Sequence, residues 1–243
     1  MRPSLSIIIP CFNEGENIKG LLEKCKKSLH NRSDIEIILV NNGSTDTTKE
    51  IFKEINQNKK LFPHIVIKNV KQNLGYGNGI MEGLDRAEGS ILSWTHADLQ
   101  TDPNDVILAF DRYKESLELS SCIVKGNRVG RNIFDNIFTA GMSFISSILL
   151  KTKLWDINAQ PKIFNRSFLK FLKNAPKDFS LDLFMLYVAK KQKIQINTFP
   201  VKFSERKFGI SKGGGSLRGK IKLIHRTFKY IKELRNVILN EKK

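Results

Sequence analysis

The apolar and polar positions of the first half of the chain alternate between two periods. Leu5-Ser6-Ile7-Ile8-Ile9 is a short β-rich apolar run closed by Pro10, and residues 35–40 repeat it ahead of the turn-rich Asn41-Asn42-Gly43-Ser44. Continuous apolar runs of this length, bounded by turn residues, predict strands buried on both faces of a parallel sheet. Between them Ile18, Leu21, Leu22, Cys25 and Leu29 recur at the spacing of one helical face. The result is a strand-helix-strand unit. The alternation continues with a helix over 47–55, a strand over 65–68, a helix over 78–87 and a strand over 91–94. Pro103 then opens a helix carrying Val106, Phe110, Tyr113 and Leu117, and a strand follows at 122–125.

Strands alternating with helices predict an α/β fold with a doubly wound, mainly parallel sheet. Ligands of such sheets bind beyond the carboxyl ends of the strands, so the residues after each strand are where chemistry is to be sought. Past Arg131 the pattern loosens: an apolar helical stretch reaches residue 150, a short strand covers 162–164, and Leu181, Phe184, Met185 and Val188 mark another helix. An extended strand over 194–203 contains Pro200, which places it at a sheet edge or a bulge. A last helix carries Ile221, Ile224, Phe228, Ile231, Leu234 and Ile238 on one face and Lys or Arg on the other. No internal repeat is visible.

A length of 243 residues suits one α/β domain with its own core. With 40% hydrophobic and 27% charged residues the composition is that of a globular protein. Charge changes the picture more: 41 Lys and Arg against 24 Asp and Glu leave +17, and residues 201–243 hold 13 of the basic residues and 3 of the acidic ones. Such a tail seeks anions, namely nucleic acid, an anionic membrane surface or phosphorylated substrates. Nucleic acid is disfavoured because the basic residues are not interleaved with stacking aromatics and no recognition-helix or RNA-binding signature occurs. Cys11, Cys25 and Cys122 are odd in number and lie in apolar patterns, which suggests neither a disulfide framework nor a zinc site and fits a reducing cytoplasm. The N-terminus lacks the sections of a signal peptide. The uncharged stretch 136–150 is too short and too polar to span a bilayer, yet suits an interface.

At the strand ends, polar side chains and glycines collect along one edge. Pro10-Cys11-Phe12-Asn13-Glu14 follows the first strand and Asn41 to Asp46 the second; Asn73-Leu74-Gly75-Tyr76-Gly77 follows the third and His96-Ala97-Asp98-Leu99-Gln100 the fourth. Amides and carboxylates hydrogen-bond a base and ribose, glycines let backbone approach phosphate, and a carboxylate at the central strand can hold a divalent ion against a diphosphate. The same residue types also favour turns and caps for purely local reasons.

Their order resembles glycosyltransferase family 2, the inverting GT-A-type enzymes. The resemblance runs through Pro-x-x-Asn-Glu at 10–14, Asn-Gly-Ser-Thr-Asp at 42–46, Asn-x-Gly at 73–75, Asp-Leu-Gln at 98–100, Gly-x-Arg at 126–128 and Arg-x-x-Gly-x-Ser-Lys at 206–212. Within the family it is most similar to the dolichyl- or polyprenyl-phosphate sugar synthases. The resemblance implies a single GT-A-type catalytic domain over 1–215, with a donor half over 1–130 and an acceptor half over 131–215, followed by a basic amphipathic C-terminal helix over 216–243. It implies a nucleotide site of Pro10, Asn13, Glu14, Asn41, Asn42, Asn73 and Ala97, and a divalent cation, Mg²⁺ or Mn²⁺, on Asp98 and Gln100. Arg128 would approach phosphate, Arg131, Arg206, Ser211 and Lys212 would serve donor or acceptor phosphates, and Asp98, Arg128 and Asp182 would form the catalytic set.

Two positions depart from the family pattern. Asn41 and Asn42 stand where two acids are usual and can donate as well as accept, which leaves base preference open. His96 replaces the first acid of the cation segment; a neutral imidazole suits Mn²⁺ better than Mg²⁺ and removes a negative charge, which implies a weakly bound cation, with a bystander or a diphosphate donor as the other readings. The expected reaction is inverting transfer from a nucleotide sugar to a polyprenyl phosphate at the cytoplasmic membrane face, where the acceptor oxygen is already anionic. If the acceptor is instead the hydroxyl of a lipid-linked glycan a base is required, and Asp182 is the candidate unless it is simply a solvated helical residue. A non-catalytic homologue and a nucleic-acid-binding protein are the remaining alternatives. Implied partners are the donor, the lipid acceptor, an anionic membrane surface, and a separate anchoring subunit or a second copy of the chain.

Overall fold

The computed structural model describes residues 2–131, 133–204, 206 and 217–240. In chain order it runs β1 (Leu5–Cys11), α1 (Gly15–Ser28), β2 (Ile35–Asn42), α2 (Thr48–Gln57), β3 (Ile65–Val70), α3 (Tyr76–Arg86), β4 (Ile91–Trp94), α4 (Pro103–Glu118), β5 (Cys122–Val129), α5 (Ile133–Leu150), β6 (Lys162–Asn165), α6 (Leu181–Lys191), β7 (Gln195–Lys202) and α7 (Leu217–Asn240). Short 3₁₀ turns at Lys59–Leu61 and Arg166–Phe171 complete the described elements.

The strands form one sheet in the order β3-β2-β1-β4-β6-β5-β7. Pairing is parallel except at β6, which runs antiparallel to both β4 and β5. Helices cover both faces, as strands apolar on both sides require. In β1, Leu5, Ile7 and Ile9 join Ile18, Leu21, Phe52, Val106 and Phe110 of α1, α2 and α4 in one core cluster. Ile8, between them, packs with Ile80 and Leu84 of α3 and Leu181 and Met185 of α6 on the other side. The α/β, mainly parallel, doubly wound architecture expected from the alternation is the one observed.

Several strands extend beyond their apolar runs. β1 continues through Pro10 to Cys11, paired with β2. Pro10 is tolerated because Ile8, of the same parity, turns its carbonyl to Thr95 N at 3.0 Å, just past the end of β4. The missing N–H of Pro10 therefore faces a side where no strand remains to receive it. β2 likewise includes Asn41 and Asn42, and β5 reaches Val129, so the polar residues read as loops are strand ends. Pro200 sits in β7, the edge strand, as its position required.

The face of α7 assigned to a membrane interface is used in part by the protein itself. Ile231 and Leu234 are buried in a third cluster with Leu150, Leu154, Leu183, Leu186 and Tyr187, so this helix packs on α6 and the end of α5. Ile221 remains exposed.

Candidate active site

The carboxyl ends of β1, β2 and β4 open into a cavity of about 840 Å³, closed on its far side by α5, the start of α6 and the residues after β7. Pro10, Asn13, Glu14, Asn42, Asn73, Ala97, Asp98, Gln100, Arg128, Arg131, Asp182 and Arg206 all line it. Residues spread over nearly two hundred positions of sequence thus share one cleft.

Asn41, also expected in the nucleotide set, is the one that does not line it. Side chains alternate along β2, so Asn41 and Asn42 leave the sheet on opposite faces. Asn41 is buried; its amide nitrogen donates to Asn69 Oδ1 at 3.1 Å and its carbonyl accepts from Ser44 N at 3.0 Å. It braces β3 and the following turn and does not reach the cavity. Asn42 does, donating to Gly75 O at 2.9 Å while its Oδ1 is buried without a hydrogen-bond partner among the described residues. Asn73 Oδ1 accepts from Gly75 N at 2.8 Å, which shapes the loop before α3.

Asn13 adopts a positive φ of 57° and ties two loops together: Thr45 N donates to its Oδ1 at 2.8 Å, and its own N–H donates to Ser44 Oγ at 3.1 Å. Glu14 then starts α1, its Oε2 accepting from Asn17 at 2.6 Å.

Beyond β4 the chain turns sharply, with Leu99 at φ 60°. Asp98 Oδ1 accepts from Gln100 N at 3.2 Å, which folds Gln100 back toward the cleft. Asp98 Oδ2 receives Arg206 Nη2 at 2.8 Å, and the same nitrogen lies 3.8 Å from Glu14 Oε1. Gln100 is pinned to the segment that carries Arg206: its O accepts from Ser204 N at 2.8 Å and its Nε2 donates to Ser204 O at 3.3 Å. Ser211 and Lys212 lie outside the described residues.

His96 packs its ring 5.6 Å from Tyr76, and Tyr76 stacks on Phe179. Burial lowers the imidazole pKa from its usual value, with Lys162 and Arg128 acting in the same direction and Asp98 and Asp182 opposing. The ring is therefore a neutral ligand or hydrogen-bonding group at physiological pH.

Asp182 is no solvated helical residue. It lies in the first turn of α6, almost wholly buried, and accepts from Trp94 Nε1 at 3.1 Å and from Gln160 Nε2 at 3.0 and 3.1 Å, with Lys162 Nζ at 3.3 Å. Arg128 is held by Asp156, which accepts from its backbone N–H and from its guanidinium Nε, each at 2.9 Å, and makes a further contact to Nη2. Arg128 and Arg131 lie 5.4 and 5.3 Å from the Phe203 ring, and Arg131 donates to Thr139 Oγ1 at 2.7 Å.

Sequence reasoning missed Asp156, Gln160, Lys162, Tyr76 and Phe203, which orient the residues it found. A lysine opening the short β6 was the available signal, since a charge at the head of a buried strand calls for a partner.

The cleft offers a divalent cation a limited donor set. Among the described residues no group of three or more His, Cys, Asp and Glu side chains is placed to hold a metal ion. Asp98 supplies a carboxylate, with Gln100 and neutral His96 beside it and room in the cleft for ligand oxygens. Hard cations are commonly held by one or two carboxylates plus substrate phosphates. The residues fit a cation that arrives with a diphosphate.

Residues 6–199 match the family model described as glycosyl transferase family 2. The chain belongs to this family. Among curated relatives it is 32% identical over 106 residues to an undecaprenyl-phosphate 4-deoxy-4-formamido-L-arabinose transferase of Proteus mirabilis, a match covering 42% of this chain and 31% of that protein. It is 25% identical over 237 residues to a dolichyl-phosphate β-glucosyltransferase of Trichomonas vaginalis, covering 90% of this chain and 72% of that one. The match with the first of these relatives thus spans about a third of its length. Two solved structures show the fold: a mannosyltransferase from Pyrobaculum calidifontis in complex with GDP-Man and Mn²⁺ (TM-score 0.62, 21% identity, 88% of this chain and 59% of that chain) and a glucosyl-3-phosphoglycerate synthase from Mycobacterium tuberculosis in complex with Mn²⁺, UDP and glucosyl-3-phosphoglycerate (TM-score 0.65, 15% identity, 93% and 77%).

Proposed function

We propose that this family 2 member transfers a sugar, with inversion, from a nucleotide-sugar donor to a polyprenyl phosphate, working as one catalytic domain peripherally at the cytoplasmic membrane face, alone or with an anchoring subunit or a second copy. The observation that carries the choice of acceptor is the state of Asp182. A general base needs an oxygen free to take a proton from a hydroxyl. Asp182 is surrounded by donors from Trp94, Gln160 and Lys162 and holds the cavity floor together. An acceptor whose oxygen is already anionic needs no such base, and the two relatives above carry undecaprenyl-phosphate and dolichyl-phosphate in their names.

Within this reading Pro10, Asn13, Glu14, Asn42, Asn73 and Ala97 form the wall for base and ribose. A divalent cation bound with the donor would be held by Asp98, with Gln100 and His96 at its side, and would supply neutralisation of the departing diphosphate. Arg206, Arg128 and Arg131 add positive charge where that diphosphate and the acceptor phosphate meet. Asp156 and Phe203 hold two of those guanidiniums in place.

The test is direct. A thermal-shift screen of UDP-, GDP-, CDP- and dTDP-sugars with Mg²⁺ or Mn²⁺ identifies the donor, because ligands of the native state raise its apparent stability. The purified protein, given that donor and a short-chain polyprenyl phosphate, is expected to form the lipid-phosphate sugar. Product from a lipid-linked glycan and none from the lipid phosphate would sink the acceptor assignment.

A further inference from the structure

We infer that Arg206 is the resident counter-charge of the cation ligand Asp98, so that a divalent cation and this guanidinium exclude one another until the donor's diphosphate arrives. The inference rests on the nucleotide-sugar reading above and adds an order of binding to it. Both oxygens of Asp98 are engaged by the protein itself. Oδ1 accepts from Gln100 N at 3.2 Å, and Oδ2 accepts from Arg206 Nη2 at 2.8 Å, with the two side chains only 11% and 20% exposed. A charge-assisted contact of this length, largely withdrawn from water, is much stronger than a surface ion pair. A cation approaching Oδ2 must displace the guanidinium or sit beside it, and two positive centres on one oxygen repel strongly where water is scarce.

The surrounding charges favour the exchange only when the donor is present. Asp98 and Glu14 both meet the same Arg206 nitrogen, at 2.8 and 3.8 Å, so two carboxylates and one guanidinium leave a single net negative charge around this corner of the cleft. A divalent ion alone would reverse its sign. A divalent ion together with a diphosphate carrying two negative charges restores it and gives the displaced guanidinium a new partner. Arg206 itself borders the cleft, within reach of a ligand there.

Cation binding is read without catalysis, by electron paramagnetic resonance of free Mn²⁺ titrated with the protein. In Arg206→Gln, and in Arg206→Met, which keeps the aliphatic stem should Gln not fold, the donor-free protein is expected to bind Mn²⁺ about tenfold or more tightly than wild type, a change of roughly 1.4 kcal/mol. Arg206→Lys keeps the charge and should stay near wild type. Adding Asp98→Asn to Arg206→Gln should remove the gain. Unchanged Mn²⁺ affinity in the folded Gln and Met variants, with nucleoside diphosphate still binding in the presence of Mn²⁺, would overturn the exchange and leave the donor reading standing. If no nucleoside diphosphate bound wild type or variants with or without Mn²⁺, the donor reading would fail and the inference with it.

Discussion

Lys125 shows how far the interior bends ordinary side-chain chemistry. It lies on β5 opposite Lys162 of β6, buried, with its ammonium donating to the Gly126 carbonyl. Burial, aided by the Lys162 charge, pushes its pKa down to about 7. In the unfolded chain the same amine titrates near 10.4, roughly the solution value of lysine. Between about pH 7 and about pH 10 the unfolded state therefore binds a proton that the native state has released, and stability rises with pH across that window. Below pH 7 the full cost of a buried ammonium is present. Lys125→Met should accordingly be more stable than wild type by a few kcal/mol, on the order of 2, at pH 6.5, with the gain shrinking as the pH approaches 10. Urea denaturation of both proteins at pH 6.5 and 9.5 checks this, and a gain independent of pH would mean that the ammonium is not the cause.

The turn before α3 locks one element against another. Gly75 has φ 125°, and a Cβ placed there would lie 2.3 Å from Lys177 O, so the helix start is locked against the chain leading into α6. Gly130 also has a positive φ, 75°, but a Cβ there would meet nothing within 4 Å. Gly75→Ala should cost about 3 kcal/mol or more and weaken nucleotide binding, since Asn42 and Asn73 both bond to this residue; Gly130→Ala should cost about 1 kcal/mol, the backbone term alone. Thermal melts of the two variants separate the cases, and equal losses would refute the role given to Lys177. The helices and strands of residues 5–125 were legible because each buries an apolar face whose period survives in one dimension. The ends of β1, β2 and β5 were not, because polar residues there continue the sheet by backbone pairing. The antiparallel course of β6 left no mark in its four residues. Asn42 and Asp98 could be found from local motifs, whereas the spending of Asn41 on Asn69, the clasp of Arg128 by Asp156 and the pairing of Arg206 with Asp98 across 108 positions follow only from the fold.

For the molecule as a whole, the excess of positive charge and one exposed apolar face point the same way. No helix among the described residues is long and apolar enough to cross a membrane. On α5, Phe138, Met142 and Ser143 face the cleft while Ile133, Ile137, Phe144 and Ile148 are exposed, and Trp155 stands exposed just after the helix. Those four recur at spacings of 4, 7 and 4, one side of a helix. Nearby α7 presents His225, Arg226, Lys229 and Lys232 to solvent, and Arg226 also borders the cleft. An apolar helix face beside basic residues suits the interface of an anionic bilayer, where each basic group near the surface adds about 1 kcal/mol and each inserted large apolar side chain about 1–2 kcal/mol. It would bring the cleft mouth down to a lipid phosphate without any segment crossing the membrane. The protein should therefore co-sediment with vesicles containing a third phosphatidylglycerol, and binding should fall steeply between about 0.05 and 0.5 M salt as the electrostatic part is screened. Ile137→Ser combined with Phe144→Ser should weaken vesicle binding by about tenfold or more at low salt, because two large apolar contacts are lost, while donor binding measured by thermal shift stays as in wild type. Equal binding to neutral and anionic vesicles, or no effect of the double substitution, would remove α5 from the membrane and leave its exposed face to a protein partner.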